Sequence, residues 1–534
     1  MISSLFSLVT SSAVLYMLAG AVLGLIFGAI PGLTATLAVV ILIPLTYSLD
    51  AISGVAMLIG AYMGGISGGF VAAIMLNMPG TPSSITTTFD GFPLAKQGKA
   101  GKALGVGNTS NLVGSFIGWV FLLCLAPLLT KIALNFSAHE YTLALLFGFT
   151  AVIALSGKSP VKGLIAALFG LTLTLIGYDS VTGMPRATFG IKMIRGGISY
   201  MAVMIGVYVV AEVFSQIEEI AQKFIVPKQK ITGVHMTFKE FKESIPNFIR
   251  SGIIGTFIGI LPGIGGAFAN FVTYDQARKA SKDPDSFGKG NIQGVVASET
   301  GNNAVIGGAL IPFISLGIPG DVVTAALLGG LMIQGINPGP LFTREHPDIV
   351  FVIYNAVLLS AVLCFIIMQT VGIRAFPKAL HIPKYILLPV VLIMALVGTY
   401  NMNFSVNDVW MAILFGIIGY LMDKAKIPKS PMVIAMILGQ NFETYFRTAM
   451  LISNGSLVPF FTRPICIVLL VIICATIVLP IFTKKTKAGR LSAAADEGQT
   501  ITADEIAGEG GPEDSISVSD SAPETSETVE NNNN

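Results

Sequence analysis

Long apolar runs follow one another along the chain as far as residue 483, and short polar loops separate them. A membrane-spanning helix needs about 20 predominantly apolar residues, and the runs reach that length repeatedly. Four Pro-Gly pairs interrupt the runs, at Pro31-Gly32 and Pro79-Gly80 in the first half and at Pro262-Gly263 and Pro319-Gly320 in the second. Each pair predicts a helix break, because proline lacks a backbone donor and glycine favours non-helical dihedrals. The pattern predicts an all-α polytopic membrane protein whose about 10–12 membrane elements include broken helices or re-entrant hairpins.

The composition supports a membrane location. Hydrophobic residues make up 53% of the 534-residue chain and charged residues only 12%, whereas an average soluble domain carries about 25% charged residues. No Lys or Arg precedes Lys96, so a cleavable signal peptide with a basic start is not expected. The four cysteines lie inside apolar runs and are expected to be buried free thiols.

The distribution of basic residues predicts that the two halves face opposite ways. Basic loops stay on the cytoplasmic side of a membrane. The loop after the first break is free of basic residues in the first half (Thr46–Asp50) but basic in the second (Arg278–Lys289). After the second break the bias reverses, since Lys96–Lys102 follow in the first half and only Arg344, beside two acidic residues, in the second. This pattern is typical of an inverted-topology repeat.

The same features predict the domain boundaries. Residues 1–225 form the first membrane repeat, 226–250 a basic cytoplasmic linker, and 251–483 the second membrane repeat. Residues 484–534 begin with a basic cluster and continue as an acidic, Ser- and Thr-rich segment. That composition is typical of a disordered tail, and the basic cluster places the C-terminus in the cytoplasm.

Matching breaks in two halves of a membrane protein indicate a transport site, because irregular backbone at membrane depth is tolerated only inside protein or along a polar cavity. Ser, Thr and Asn side chains beside the breaks add polar ligands, although each could instead serve only as a helix cap. The predicted substrate-binding residues are Pro31, Gly32, Thr34, Thr36, Asn77, Pro79, Gly80, Thr81, Ser83, Ser84, Pro262, Gly263, Gly265, Asn270, Pro319, Gly320 and Thr324.

A second polar group precedes the last break. Glu299, Asn302 and Asn303 have the i, i+3, i+4 spacing that places them on one helix face. Ionisable residues inside membrane spans are costly and usually functional. Together with Asp321, these residues are predicted to bind a coupling ion, either Na⁺ or a proton; no other cofactor is expected.

An enzymatic function is not expected. Tyr274-Asp275 and Pro319-Gly320-Asp321 resemble the paired aspartates of intramembrane aspartyl proteases only loosely. Those enzymes carry Gly-x-Gly-Asp, and Ile318 stands here at the position of the first glycine. A passive anion channel remains an alternative to a transporter, because broken helices also build selectivity filters.

Several short motifs, in the same order, resemble the large membrane subunit of tripartite tricarboxylate transporters (the TctA family). They include Ile30-Pro-Gly-Leu-Thr-Ala-Thr-Leu37, Met78-Pro-Gly-Thr-Pro82, Phe89-Asp-Gly-Phe-Pro-Leu-Ala95, Phe287-Gly-Lys-Gly290 and Leu316-Gly-Ile-Pro-Gly320. The resemblance implies a bacterial inner-membrane importer of a di- or tricarboxylate, driven by an ion gradient. It also implies two protein partners, a periplasmic solute-binding protein and a small four-helix membrane subunit. No ATPase subunit or nucleic acid is expected, and the chain has no Gly-x-x-x-x-Gly-Lys-[Ser/Thr] phosphate loop.

Overall fold

The structure, a computed structural model, is almost entirely helical. It describes residues 2–154, 160–179, 182–218, 231, 233–263, 265–379 and 384–483. In that part of the chain six helical segments are long and apolar enough to cross a membrane: Ala51–Leu76, Thr87–Ala133, Tyr200–Glu218, Pro347–Phe376, Tyr385–Asn403 and Val406–Lys424. The predicted all-α polytopic membrane fold is confirmed. The predicted tail (484–534) and the part of the predicted linker at 226–230 and 232 lie outside the described residues.

The described part of the first half contains eleven α-helices and a small hairpin. The helices are α1 (Ile2–Thr10), α2 (Ala13–Ala29), α3 (Ala35–Thr46), α4 (Ala51–Gly68), α5 (Phe70–Leu76), α6 (Thr87–Leu94), α7 (Ala100–Ala133), α8 (Ala138–Ala154), α9 (Pro160–Thr174), α10 (Tyr200–Ile205) and α11 (Ala211–Glu218). Between α9 and α10, the strands β1 (Gly177–Tyr178) and β2 (Pro185–Arg186) pair antiparallel.

The second half contains the remaining helices. They are α12 (Phe238–Ile260), α13 (Gly265–Lys279), α14 (Ile292–Leu316), α15 (Val322–Ile333), α16 (Phe342–Glu345), α17 (Pro347–Ile367), α18 (Ile373–Ala379), α19 (Lys384–Asn403), α20 (Val406–Lys424), α21 (Lys429–Ile452), α22 (Val458–Thr462) and α23 (Pro464–Thr483). The helix α14 is buried along nearly its whole length and packs against α7, α12 and α13. It is the central element of the core.

All four Pro-Gly pairs lie between helices, as the sequence predicts. Gly32 and Gly263 adopt positive φ angles of 86° and 82°, which glycine reaches without the strain that a side chain would cause. Asn77 and Gly317, each two residues before the second proline of their half, are also left-handed, with φ angles of 58° and 70°. The corresponding breaks therefore follow similar backbone paths.

The two halves also repeat their helix packing. The helix α2 packs on α4 in the first half as α12 packs on α14 in the second. A methyl group at Gly24 would overlap the carbonyl oxygen of Ala61, and one at the corresponding Gly255 would overlap that of Gly301. Small residues allow such close approach between membrane helices. The opposite orientation of the two repeats stays a prediction.

Asp90 connects the halves away from the breaks. It is fully buried on α6, and its Oδ1 accepts hydrogen bonds from the backbone N–H groups of Gly288 (2.9 Å), Gly290 (2.9 Å) and Asn291 (2.7 Å). Its Oδ2 accepts a hydrogen bond from the Tyr274 hydroxyl at 2.8 Å. Three of these donors hold α6 to the segment that begins α14, and the fourth holds α6 to α13.

A network of four charges holds the hairpin against α21. Arg186 on β2 donates to both carboxylate oxygens of Glu443, at 2.6 and 3.0 Å, and to Asp179 at 3.1 Å. Arg447 lies 2.9 Å from Asp179 and 2.6 Å from Glu443. Because the Arg186 fork binds Glu443 bidentately, this contact is geometrically specific.

The start of α12, a helix that is not among the six candidate spans, carries a capping box. Thr237 Oγ1 accepts the Glu240 N–H at 3.3 Å, and Glu240 Oε2 accepts the Thr237 N–H at 2.7 Å. Glu240 also forms an ion pair with Lys102 on α7. Partial burial acts to raise the pKa of Glu240, but the hydrogen bonds from Lys102 and Thr237 outweigh it and hold the pKa below its ordinary value of 4.5.

Candidate functional site

The segment after the second break of the first half packs into the second half of the chain. The Thr86 N–H donates to Asn270 Oδ1 on α13 at 2.9 Å, and the Thr86 hydroxyl lies 2.8 Å from the hydroxyl of Ser298 on α14. Asn270 Nδ2 donates to the Ser298 carbonyl oxygen at 3.0 Å. The structure thus brings the predicted residue Asn270 to the first half's second break. No separate feature of the sequence pointed to Thr86 or Ser298.

Glu299 lies next to this contact, fully buried on α14. One of its carboxylate oxygens, Oε1, accepts a hydrogen bond from the Thr87 hydroxyl. Within the described residues the other oxygen, Oε2, has no hydrogen-bond partner. A buried polar atom without a partner costs free energy, and a buried charge costs far more unless it is compensated. The burial of the Glu299 carboxyl group is therefore only partly compensated within the described chain.

Asn302, one helical turn after Glu299, is also incompletely satisfied. It is 1% exposed, and neither its amide nitrogen nor its amide oxygen has a hydrogen-bond partner in the part of the chain that the structure describes. A methyl group placed on Gly266 would lie 3.0 Å from Asn302 Oδ1 and 2.7 Å from Ser83 Cβ. Asn302 and Ser83 therefore both approach the bare backbone of Gly266 at the start of α13.

Three hydroxyl groups cluster at the first half's second break. Thr81 Oγ1 lies 3.1 Å from Ser83 Oγ and 3.2 Å from Ser84 Oγ, and all three residues are buried. The Ser84 N–H is already bonded to the Thr81 carbonyl oxygen at 2.9 Å. The three side-chain hydroxyls therefore supply polar groups at this break.

At the corresponding break in the second half, the polar side chains are hydrogen-bonded to one another and to Tyr62. Asp321 Oδ1 accepts hydrogen bonds from the Thr324 N–H and the Thr324 hydroxyl, both at 2.7 Å. Asp321 Oδ2 accepts a hydrogen bond from the Tyr62 hydroxyl at 2.6 Å. Asp321 and Thr324 form a capping box at the start of α15. Helix capping accounts for Thr324, and every oxygen of Asp321 has a partner.

Asn303, unlike Asn302, has hydrogen-bond partners for its side-chain amide. Its amide nitrogen donates to Asn111 Oδ1 on α7 at 2.6 Å, and its Oδ1 accepts a hydrogen bond from the Ser67 hydroxyl on α4 at 2.7 Å. These bonds tie α14 to α4 and α7. Of the predicted ion-coupling residues, Glu299 and Asn302 keep unpaired polar atoms, whereas Asn303 and Asp321 are satisfied.

The first break of each half has both local and distant partners. Thr34 caps α3 by accepting the Leu37 N–H at 3.2 Å, as the capping interpretation predicts. Gln216 of α11 donates from Nε2 to the Gly32 carbonyl oxygen at 2.6 Å. In the second half the Gly263 N–H donates to the Gly320 carbonyl oxygen at 2.8 Å, so the two breaks of that half touch.

The glycines of the second breaks are needed for close packing. A methyl group at Gly80 would overlap the Gly28 carbonyl oxygen, and the Gly80 N–H donates to the Gly69 carbonyl oxygen at 3.2 Å. A methyl group at Gly320 would lie 2.5 Å from Ala309 Cα. Backbone cannot move aside as a flexible side chain can, so packing explains the absence of side chains at both positions.

The helical fold, the broken helices and the buried polar group between the halves define a multi-pass membrane protein of the transporter type. The chain belongs to the tripartite tricarboxylate transporter TctA family, whose model matches residues 14–434. The resemblance read from the motifs is thereby confirmed.

Two relatives from Agrobacterium vitis are similar to the chain. One, named as an uncharacterized 52.8 kDa protein in the TAR-I ttuC′ 3′ region, is 33% identical over 460 residues, which cover 86% of this chain and 91% of that protein. The other, named as an uncharacterized protein in the TAR-II ttuC′ 3′ region, is 35% identical over 216 residues, covering 40% of this chain and 89% of that protein. No solved structure matches the chain.

Proposed function

We propose that this protein is the large membrane subunit of a secondary transporter that imports a citrate-like di- or tricarboxylate across the bacterial inner membrane. A periplasmic solute-binding protein delivers the substrate, and a small four-helix membrane subunit completes the complex. The C-terminus lies in the cytoplasm. Membership of the TctA family supports this proposal, as do the breaks that the sequence marks for substrate binding.

The observation that carries the proposal is the unpaired carboxylate oxygen of Glu299, buried beside a helix break and beside the unpaired amide of Asn302. An anionic substrate and a buried carboxylate repel each other strongly in a medium of low dielectric constant. A cation at Glu299, either Na⁺ or a proton, removes that repulsion. Substrate binding then requires the cation, which is the thermodynamic basis of coupled transport.

Uptake into proteoliposomes tests this function. The chain is reconstituted with its small subunit, the binding protein is supplied outside, and radiolabelled citrate is the probe in the absence of ATP. With an inward Na⁺ or proton gradient, we expect citrate to accumulate above its external concentration, and an ionophore that abolishes the gradient should release it. With the membrane potential clamped at zero, a passive anion channel would only bring the internal citrate concentration to the external one. That result would refute coupled transport.

A further inference from the structure

The second breaks of the two halves correspond residue by residue. Met78-Pro79-Gly80-Thr81 aligns with Ile318-Pro319-Gly320-Asp321, and Ser84 then aligns with Thr324. Tyr62 and Asn302 lie equally far before the two prolines. The structure supports this alignment, since both breaks follow a left-handed residue and Gly80 packs on Gly69 as Gly320 packs on the corresponding Ala309.

At the second half's break the chain itself supplies a carboxylate, that of Asp321, at the position that aligns with Thr81. The Asp321 carboxylate accepts three hydrogen bonds, two from Thr324 and one from the Tyr62 hydroxyl of the other half. Several convergent donors are what a buried carboxylate requires. This break shows how the fold binds one carboxylate group.

The first half's break has the same surroundings but no carboxylate. Thr81 stands at the position of Asp321, and Asn302 stands at the position of Tyr62. The hydroxyls of Thr81, Ser83 and Ser84 make two contacts among themselves, which leaves one O–H donor free. The Asn302 amide has no hydrogen-bond partner in the described chain. Its Oδ1 is the amide atom nearest Gly266 and Ser83, and a half-turn of the amide presents its two N–H donors there instead.

We infer that one carboxylate group of the substrate binds at the first half's break, between the hydroxyls of Thr81 and Ser83 and the Asn302 amide. It takes the place that the Asp321 carboxylate occupies at the second half's break, which therefore binds no substrate. The inference rests on the proposed function, because it takes the substrate to be a carboxylate. Glu299, one turn from Asn302, places the coupling cation close to the substrate.

The substitution Thr81→Asp tests the inference, because it gives the first break the internal carboxylate that closes the second. Binding of radiolabelled citrate, succinate and tartrate is measured on the purified full chain, together with its melting temperature and size-exclusion profile. We expect Thr81→Asp to remain folded and to lose carboxylate affinity at least tenfold. The matched control Thr81→Asn, which has the same shape without the charge, should lose less. Wild-type affinity in a folded Thr81→Asp variant would overturn the inference.

A second variant decides the matter if Thr81→Asp does not fold. Asn302→Ala removes the unpaired amide and should weaken carboxylate binding about tenfold or more, as expected for a hydrogen bond to a charged group. Unchanged affinity in a folded Asn302→Ala protein overturns the inference. If wild-type protein binds none of the three carboxylates, the proposed substrate class fails; if it binds them and the variants bind equally well, only the location of the site fails.

Discussion

Replacing Glu299 by glutamine separates a coupling role from a packing role. The substitution removes the ionisable group, keeps the size of the side chain, and preserves the contact with Thr87, because an amide carbonyl accepts a hydroxyl hydrogen as a carboxylate does. A contact between a cation and Glu299 is worth about 1.5–3 kcal/mol, the range of hydrogen bonds to charged groups, which corresponds to roughly a 10- to 150-fold change in ion affinity. We expect ion-dependent uptake to fall by at least that factor.

The melting temperature of the same variant should rise or stay unchanged. The unpaired Oε2 destabilises the ion-free protein. Replacing the ionisable carboxyl group by a neutral amide should therefore leave the melting temperature in ion-free buffer unchanged or raise it. Stabilisation by added Na⁺ or by lower pH should disappear. Glu243→Gln, which neutralises an exposed glutamate of α12, is the matched control and should behave as wild type. Wild-type uptake with wild-type ion dependence in Glu299→Gln would refute the coupling argument.

Three further substitutions test contacts that hold the two halves together. Asp90→Asn should lower folded yield in detergent, because it replaces a carboxylate that accepts four hydrogen bonds by a neutral amide and sets an N–H₂ group against the Tyr274 hydroxyl, where a hydrogen bond to a charged group is worth about 1.5–3 kcal/mol; a wild-type melting curve would argue against this role. Arg186→Glu should lower the melting temperature, and adding Glu443→Arg should restore part of the loss in a double-mutant cycle, whereas simple additivity would deny the specific pair. Glu240→Gln should destabilise by about 1 kcal/mol at pH 7, since this half-exposed pair is screened by solvent. Folding lowers the pKa of Glu240. The contribution of Glu240 to the free energy of unfolding is therefore complete above its ordinary pKa of 4.5 and is lost as the pH falls through its pKa in the folded protein. The melting temperatures of the wild type and the variant should therefore converge at acid pH.

The sequence was most informative about the fold. Runs of apolar residues and Pro-Gly pairs act locally, through bilayer thickness and backbone geometry, so they identify helices and breaks without knowledge of packing. The left-handed backbone at Asn77 was less evident, because asparagine adopts that conformation only occasionally. The hairpin at Gly177–Tyr178 and Pro185–Arg186 gave no periodic signal, since it spans two residues on each strand.

The partners of the polar residues could not be read from the sequence. Glu299 and Asn302 share a helix face with Asn303, yet only the tertiary structure shows that Asn303 is satisfied by Ser67 and Asn111. Tyr62 resembles any aromatic residue of an apolar helix until the structure places its hydroxyl on Asp321. Long-range pairing of this kind depends on how distant helices meet, which local patterns do not encode.

A reversible cross-link between Thr86 and Ser298 tests the central claim most directly. These buried residues join the first half's break to α14, and their hydroxyl oxygens lie 2.8 Å apart. A substrate site between this break and α14 must open during transport, because the polar residues that surround it are buried. In a background without the four native cysteines, we expect oxidation of Thr86→Cys/Ser298→Cys to stop citrate uptake and a reductant to restore it, while each single cysteine variant stays active in oxidant. Uptake at the uncross-linked rate with the disulfide fully formed would contradict the claim that this polar cluster is the transport site.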